Sequence, residues 1–307
     1  MTTENPYPHL DPRIARIAAR SDKARLRYID EDRIVATPTF LFVGEELEIQ
    51  YRRKQTLRAV GLALLGPPGI GKTFILKSFQ ERHPSYRDKQ GMLKVPVLYL
   101  QYPAEPSIPW LIEEMIRKLG YKLALPRSTG ARFRKLVELL EEAGTRVIIL
   151  DETGNVDDFP RSAVIAFRHA LKWLTNETMV PVVLAGTEVV ANVLDEDIQL
   201  NRRFRRILME PWPCKSEYSG FIAAYLAGMP LRLPTVVNRA LIERVFDDGG
   251  DITHDAVMLL QDAARIAIKT GSEVISVHEL EAARGGRAFI PTASEARESA
   301  RDRRRRG

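Results

Sequence analysis

The sequence of 307 residues holds a single cysteine, Cys214, which excludes an internal disulfide and any zinc site built from several cysteines. Its five histidines, His9, His83, His169, His254 and His278, are scattered and fit surface or core positions better than a ligand cluster. No apolar run approaches the roughly 18 residues that a membrane-spanning helix needs. Residues 1–10 are polar and contain prolines, without the apolar core of a secretory signal. These absences lead to the expectation of a soluble, cytoplasmic chain with no membrane partner.

What is present is an ordinary globular balance, 45% hydrophobic and 28% charged, in a chain long enough for one large core and a smaller second domain. The formal net charge is +6, and its distribution says more than its sum. Residues 11–28 hold six bases (Arg13, Arg16, Arg20, Lys23, Arg25, Arg27) against Asp11 and Asp22. Arg52, Arg53, Lys54 and Arg58 follow without an acid, Arg202, Arg203, Arg205 and Arg206 form a third cluster, and residues 291–307 carry six arginines against three acids. Clusters of this kind fit a polyanionic partner or, equally, solvated helix faces and a solubilising tail.

Ile14, Ile17 and Ala18 fall at helical spacing, Pro38 is expected to break any helix, and residues 45–59 read as helix. A regular alternation then begins. Residues 61–65, 95–100, 146–150, 180–185 and 207–209 are short apolar runs suited to buried parallel strands, and residues 72–82, 109–119, 131–143 and 163–176 are amphipathic helices between them. That alternation argues for a five-stranded parallel sheet sandwiched by helices. After Pro211-Trp212-Pro213 only helices remain, at 221–226, 235–246, 254–270 and 277–283, separated by Gly249-Gly250 and Gly271. Beyond residue 286 the chain is polar, arginine-rich and expected to be disordered.

Gly66-Pro67-Pro68-Gly69-Ile70-Gly71-Lys72-Thr73 matches G-x-x-x-x-G-K-[ST]. Glycines let successive backbone N–H groups wrap phosphates, and the helix that follows adds its amides and positive dipole end. Lys72 brings a mobile charge to the β and γ phosphates, Thr73 a hydroxyl to Mg²⁺, and Phe74 completes the expected nucleotide-binding stretch. A strand directly before and a helix directly after provide the required context. The run Val147-Ile148-Ile149-Leu150-Asp151-Glu152 ends in two acids, where ligands bind in an open α/β sheet. Asp151 is placed to hold the Mg²⁺ shell and Glu152 to polarise the attacking water. A further strand intervenes in the sequence between the phosphate loop and Asp151. Thr187, ending the run 182–187, is a candidate to reach the γ-phosphate, and Arg203, with Arg202 in reserve, a candidate finger supplied to a neighbouring subunit.

The order of these parts resembles the AAA+ ATPases and, more narrowly, transposition regulators of the TniB/TnsC type. The carriers are Gly66 through Thr73, Asp151-Glu152 with Asn155, the helix 164–176, the run ending in Gly186-Thr187, Asn201-Arg202-Arg203-Phe204, and the late helix before Gly271. It implies an α/β P-loop fold with an N-terminal basic arm (1–44), an AAA+ core (45–213), a small all-α lid (214–286) and the tail (287–307). In such sheets the strand ending at Thr187 lies between the phosphate-loop strand and the Asp151 strand. The resemblance further implies ATP and Mg²⁺ as cofactors, a homo-oligomeric ring or filament on duplex DNA, and a link between a target-selection protein and a transposase. The sequence departs from the family at Thr153-Gly154, where Ile-His is common, and at residues 249–254, which lack a lid arginine; Arg265 lies farther along. A nucleotide-switch interaction module, a helicase loader and a secretion ATPase are the alternative readings.

Overall fold

The structure is a computed structural model describing residues 6–53, 60–102, 107–122, 124–125, 127–153, 161–212 and 215–286. Two short helices, α1 (Pro12–Ala18) and α2 (Asp22–Ile29), come first, followed by α3 (Pro38–Arg52). The alternating segment runs β1 (Gly61–Leu65), α4 (Lys72–Arg82), β2 (Tyr86–Arg87), β3 (Leu93–Lys94), β4 (Val97–Gln101), α5 (Ile108–Lys118), α6 (Thr129–Glu142) and β5 (Val147–Asp151). It continues with α7 (Arg161–Glu177), β6 (Val182–Gly186), α8 (Val189–Asp195), α9 (Ile198–Arg203) and β7 (Phe204–Leu208). Four helices close the described chain: α10 (Lys215–Ala227), α11 (Arg239–Gly249), α12 (Thr253–Thr270) and α13 (Val277–Gly286).

The chain divides into two compact units. One spans Pro38–Glu210; the other joins the described residues up to Thr37 to those from Pro211 onward. The boundary expected at residue 44 therefore falls inside α3. Pro38 begins that helix instead of breaking one, because its fixed φ and missing N–H suit the first helical turn.

In the α/β unit, the strands GLALL, VIILD and VVLAG are buried at every position. Such strands can only be the interior of a sheet covered on both faces. The spatial order is β4-β5-β6-β1-β7, and each neighbouring pair is parallel. β6 thus separates β5 from β1, as the family resemblance implies, and β4 is the outer neighbour of β5. Leu98, Leu100, Leu111, Met115, Leu136, Ile148, Leu171 and Leu184 belong to one continuous core. The last strand starts at Phe204, three residues before the expected run. Arg205 and Arg206 are therefore strand residues, paired with Glu46 and Asp195. The antiparallel pair β2–β3 has no counterpart among the expected elements.

In the helical unit, Tyr218, Ile222, Met229, Val245, Leu260, Ala263 and Leu280 form a second core that also contains Ile29 of α2. The early helices are thus built into this unit. Arg25 is fully buried. Its guanidinium donates to Pro230 O at 3.0 Å and to Asp22 at 3.0 Å, and makes a two-pronged bond to the Glu273 carboxylate. Among the described residues no helix is long and apolar enough to cross a membrane.

Candidate nucleotide site

The loop from Gly66 to Thr73 turns from the tip of β1 into α4. Gly66 is required by close approach: a Cβ there would lie 2.4 Å from the Met209 carbonyl oxygen, far inside van der Waals contact. Gly71 precedes the first residue of α4 with φ 107°, a left-handed conformation open to glycine. Ile70 is buried and anchors the loop, while Pro68 and Gly69 are exposed. The Lys72 ammonium donates to Gly66 O at 2.7 Å and Pro67 O at 2.9 Å. Burial lowers its pKa below the ordinary lysine value of 10.5, and the nearby Asp151 carboxylate opposes that shift. Lys72, the loop carbonyls and Asp151 therefore share one small volume. Phe74, half-buried, lies with its ring centroid 6.4 Å from that of Phe40 on α3.

Asp151 is 1% exposed at the end of β5. Its Oδ2 accepts the Tyr99 hydroxyl at 2.7 Å and its Oδ1 accepts the Glu152 amide at 2.8 Å. Burial, followed by that bond to Asp151, raises the Tyr99 pKa strongly, so the phenol stays a donor and fixes the carboxylate. Glu152 is exposed and has φ 57°, a left-handed conformation that costs an ordinary residue about 1–2 kcal/mol. Strain of this kind concentrates at functional sites. The Glu152 carboxylate accepts from Gln101 Nε2, and Gln101 is opposite Asp151 in the β4–β5 register. Thr153 is buried, and its hydroxyl donates to Ala185 O at 2.9 Å, tying the end of β5 to β6.

Thr187 follows β6 and is half-buried. The Gly66 amide donates to Gly186 O at 3.1 Å, which sets Thr187 next to the start of the phosphate loop. The two arginine candidates differ. Arg203 donates to Thr175 Oγ1 at 2.9 Å and Asn176 Oδ1 at 2.6 Å, holding the end of α9 against α7. Arg202 is exposed, and no hydrogen bond or ion pair engages its side chain among the described residues. Arg52 lies in an i,i+4 pair with Glu48, whereas Lys54, Asn155 and residues 287–307 lie outside the described residues. Arg265 of the helical unit is bonded to Asp262 and Asp30.

The residues present fit a triphosphate with one divalent ion. Two glycines hold a backbone path that side chains would block, and a lysine and a helix N-terminus supply positive charge. One buried aspartate and Thr73 are the available oxygen donors. No cluster of three or more His, Cys, Asp or Glu able to hold a metal occurs among the described residues. A magnesium ion, which relies on one or two carboxylates plus substrate phosphates, needs no such cage. Sequence reasoning identified the loop and the acid pair but missed Gln101, Tyr99 and Thr153. The only signal for Gln101 was its place as the polar end of a buried strand.

The fold is similar to that of the Aeropyrum pernix ORC2 protein solved as ADPNP–ADP complexes, with TM-score 0.62 and 20% identity over 87% of this chain and 73% of that one. It is likewise similar to the Aeropyrum pernix ORC1 protein in complex with DNA (TM-score 0.60, 16% identity, 85% and 68% covered). The Thermotoga maritima RuvB Holliday junction branch migration motor also matches (TM-score 0.52, 12% identity, 83% and 72% covered). No curated protein matches the sequence. A family model described as bacterial TniB protein matches residues 25–214, more than half of the chain. With its five-stranded parallel sheet, phosphate loop and helical unit, the chain has the AAA+ P-loop ATPase fold and belongs to the TniB family.

Proposed function

We propose that this protein binds ATP with Mg²⁺ at the 66–74 loop, hydrolyses it, and acts as an AAA+ regulator of DNA transposition that assembles on duplex DNA. The observation that carries the catalytic part is the shared volume of Lys72 and Asp151, with Glu152 one residue beyond on a strained backbone. In this reading the loop amides and Lys72 bind the β and γ phosphates, and the Asp151 carboxylate, held by Tyr99, faces the metal shell together with Thr73. The Mg²⁺ ion neutralises charge on the phosphate oxygens. Glu152 orients and polarises the attacking water, and Thr187 reaches the γ-phosphate from the intervening strand. A neighbouring copy supplies the arginine that neutralises charge in the transition state. Arg202 suits that role better than Arg203, whose guanidinium is already bonded to α7.

Membership of the TniB family supports the further reading that the assembly links a target-selection protein to a transposase. Backbone contacts carry the affinity for duplex DNA, with little base specificity. A subunit that neutralises about three phosphates gives a log–log salt slope near −3. The bond from Gln101 to Glu152 favours one variation, in which hydrolysis is held low and nucleotide acts mainly as an assembly switch.

Electron microscopy of the protein and its Glu152→Gln variant, with ATP and duplex DNA, tests the proposal. Ordered rings or helical coats on DNA, kept in the variant while turnover is lost, are the expected result. Monomers under all conditions would refute the assembly and the arginine in trans. Unchanged turnover in the variant would refute the role of Glu152.

A further inference from the structure

The helical unit carries a charged surface that the nucleotide site does not use. Of the six bases in residues 11–28, Arg25 is consumed inside the protein. The other five, Arg13, Arg16, Arg20, Lys23 and Arg27, are all exposed, and no acid pairs with any of their side chains among the described residues. The first three are spaced three and four apart along α1 and its C-terminal turn, so they share one side of that helix. Lys23 and Arg27 are four apart on α2 and likewise share a side.

The acids of the same segment are engaged locally. Asp11 accepts from the Arg13 amide at the start of α1, Asp22 is bonded to Arg25, and Asp30 is bonded to Arg265. Only Glu31 and Asp32 are left exposed and unpaired, at the far end beyond α2. The arrangement thus neutralises its negative charges inward and leaves its positive charges outward.

The helices that display these bases are held at many points. Besides the bonds of Arg25, Gln261 donates to Ile29 O at 3.0 Å. Arg33 donates to Gly228 O at 3.0 Å and Tyr225 Oη at 3.1 Å. His9 is 3.1 Å from Leu231 O. Ala15, Ala18 and Ile29 are buried on the opposite side. A basic face on a fixed support loses little conformational freedom when it meets a polyanion, unlike the same charges on a loose tail.

We propose that the exposed face of α1 and α2 is a docking surface for the phosphate backbone of duplex DNA. This rests on the reading of the protein as a DNA-associated regulator and assigns the contact to the helical unit. Five cations over about 15 residues of helix and turn match the closely spaced charge of a duplex, one negative charge per about 1.7 Å of axis. The contact is electrostatic and independent of base sequence.

The test is fluorescence anisotropy of a labelled duplex, across a salt series, with the full-length protein and ATP. A variant with Arg13, Arg16, Arg20, Lys23 and Arg27 all replaced by Gln is compared with the wild type. A second variant carries Gln at Arg303, Arg304, Arg305 and Arg306 of the tail. Circular dichroism confirms that the first variant keeps its helices, since none of the five residues has a side-chain partner to lose. The expected result for the helix variant is an affinity lower by tenfold or more. Its salt slope becomes shallower by about 3 or more, at about 0.9 per phosphate contact. Wild-type affinity and slope in the helix variant, with the loss confined to the tail variant, would overturn this surface while leaving the regulator reading intact. Loss of binding to phosphatidylserine vesicles with duplex binding unchanged would overturn it in favour of a lipid surface. Absence of duplex binding by the wild type would overturn both readings.

Discussion

Replacing Gln101 with Leu removes one donor from the candidate catalytic glutamate without changing the burial of the strand around it. Gln101 ends β4, and Glu152 follows β5. Because the sheet order is β4-β5-β6-β1, the bond between them draws the glutamate toward β4, away from the phosphate loop on β1. A water-polarising carboxylate has to swing the other way. At a solvent-exposed site this hydrogen bond is worth about 1 kcal/mol, so its loss raises the population of released Glu152 by about fivefold. Basal ATP turnover of Gln101→Leu, followed by phosphate release without DNA, is expected to rise by about that factor. The same substitution in a Glu152→Gln background is expected to change nothing, which makes the pair a double-mutant cycle. Turnover that is unchanged or lower in the single variant would refute the reasoning, and so would an equal effect in both backgrounds.

Gly66→Ala places a methyl carbon 2.4 Å from the Met209 carbonyl, and the overpacking costs about 1–3 kcal/mol; a lower Tm together with weaker nucleotide binding, measured by calorimetry, is expected. Burial of Lys72 lowers its pKa from 10.5, and phosphate binding needs the charged form. ATP affinity is therefore full below the folded-state value and is lost as pH rises through it, so the alkaline limb of a binding titration is expected to begin earlier than for an ordinary lysine and to vanish in Lys72→Arg. Arg25→Ala leaves the Glu273 carboxylate without its buried partner, which costs about 3–5 kcal/mol; limited proteolysis is expected to cut within residues 6–37 of that variant before it touches the phosphate-loop unit.

The phosphate loop was legible because its chemistry is local. Eight consecutive residues must present amides, a lysine and a hydroxyl, and the helix that begins at Lys72 and ends at Arg82 follows from its own amphipathic pattern. The four central strand segments were legible because a strand covered on both faces is an uninterrupted apolar run. Pro38 misled because proline is read as a helix breaker, while the first turn of a helix tolerates it. The β2–β3 pair escaped notice because two-residue strands have no period to detect. Gln101 and Tyr99 gained their roles from the register of β4 on β5, which pairs residues about 50 positions apart, and no spacing rule along the chain expresses that.

Arg25 shows the same limit within a single segment. By composition and spacing it is one of six equivalent bases in residues 11–28, and nothing nearby separates it from Lys23 or Arg27. The separation comes from Glu273, 248 residues away, which makes burial of one guanidinium tolerable where an unpaired one would cost several kcal/mol. The effect on function is arithmetic. A charge count on the sequence assigns this segment six bases for a polyanion, and the fold leaves five. The sixth holds the helices on which the five are displayed, so an Arg25 variant would weaken DNA binding through loss of that support even though its own charge never reaches solvent.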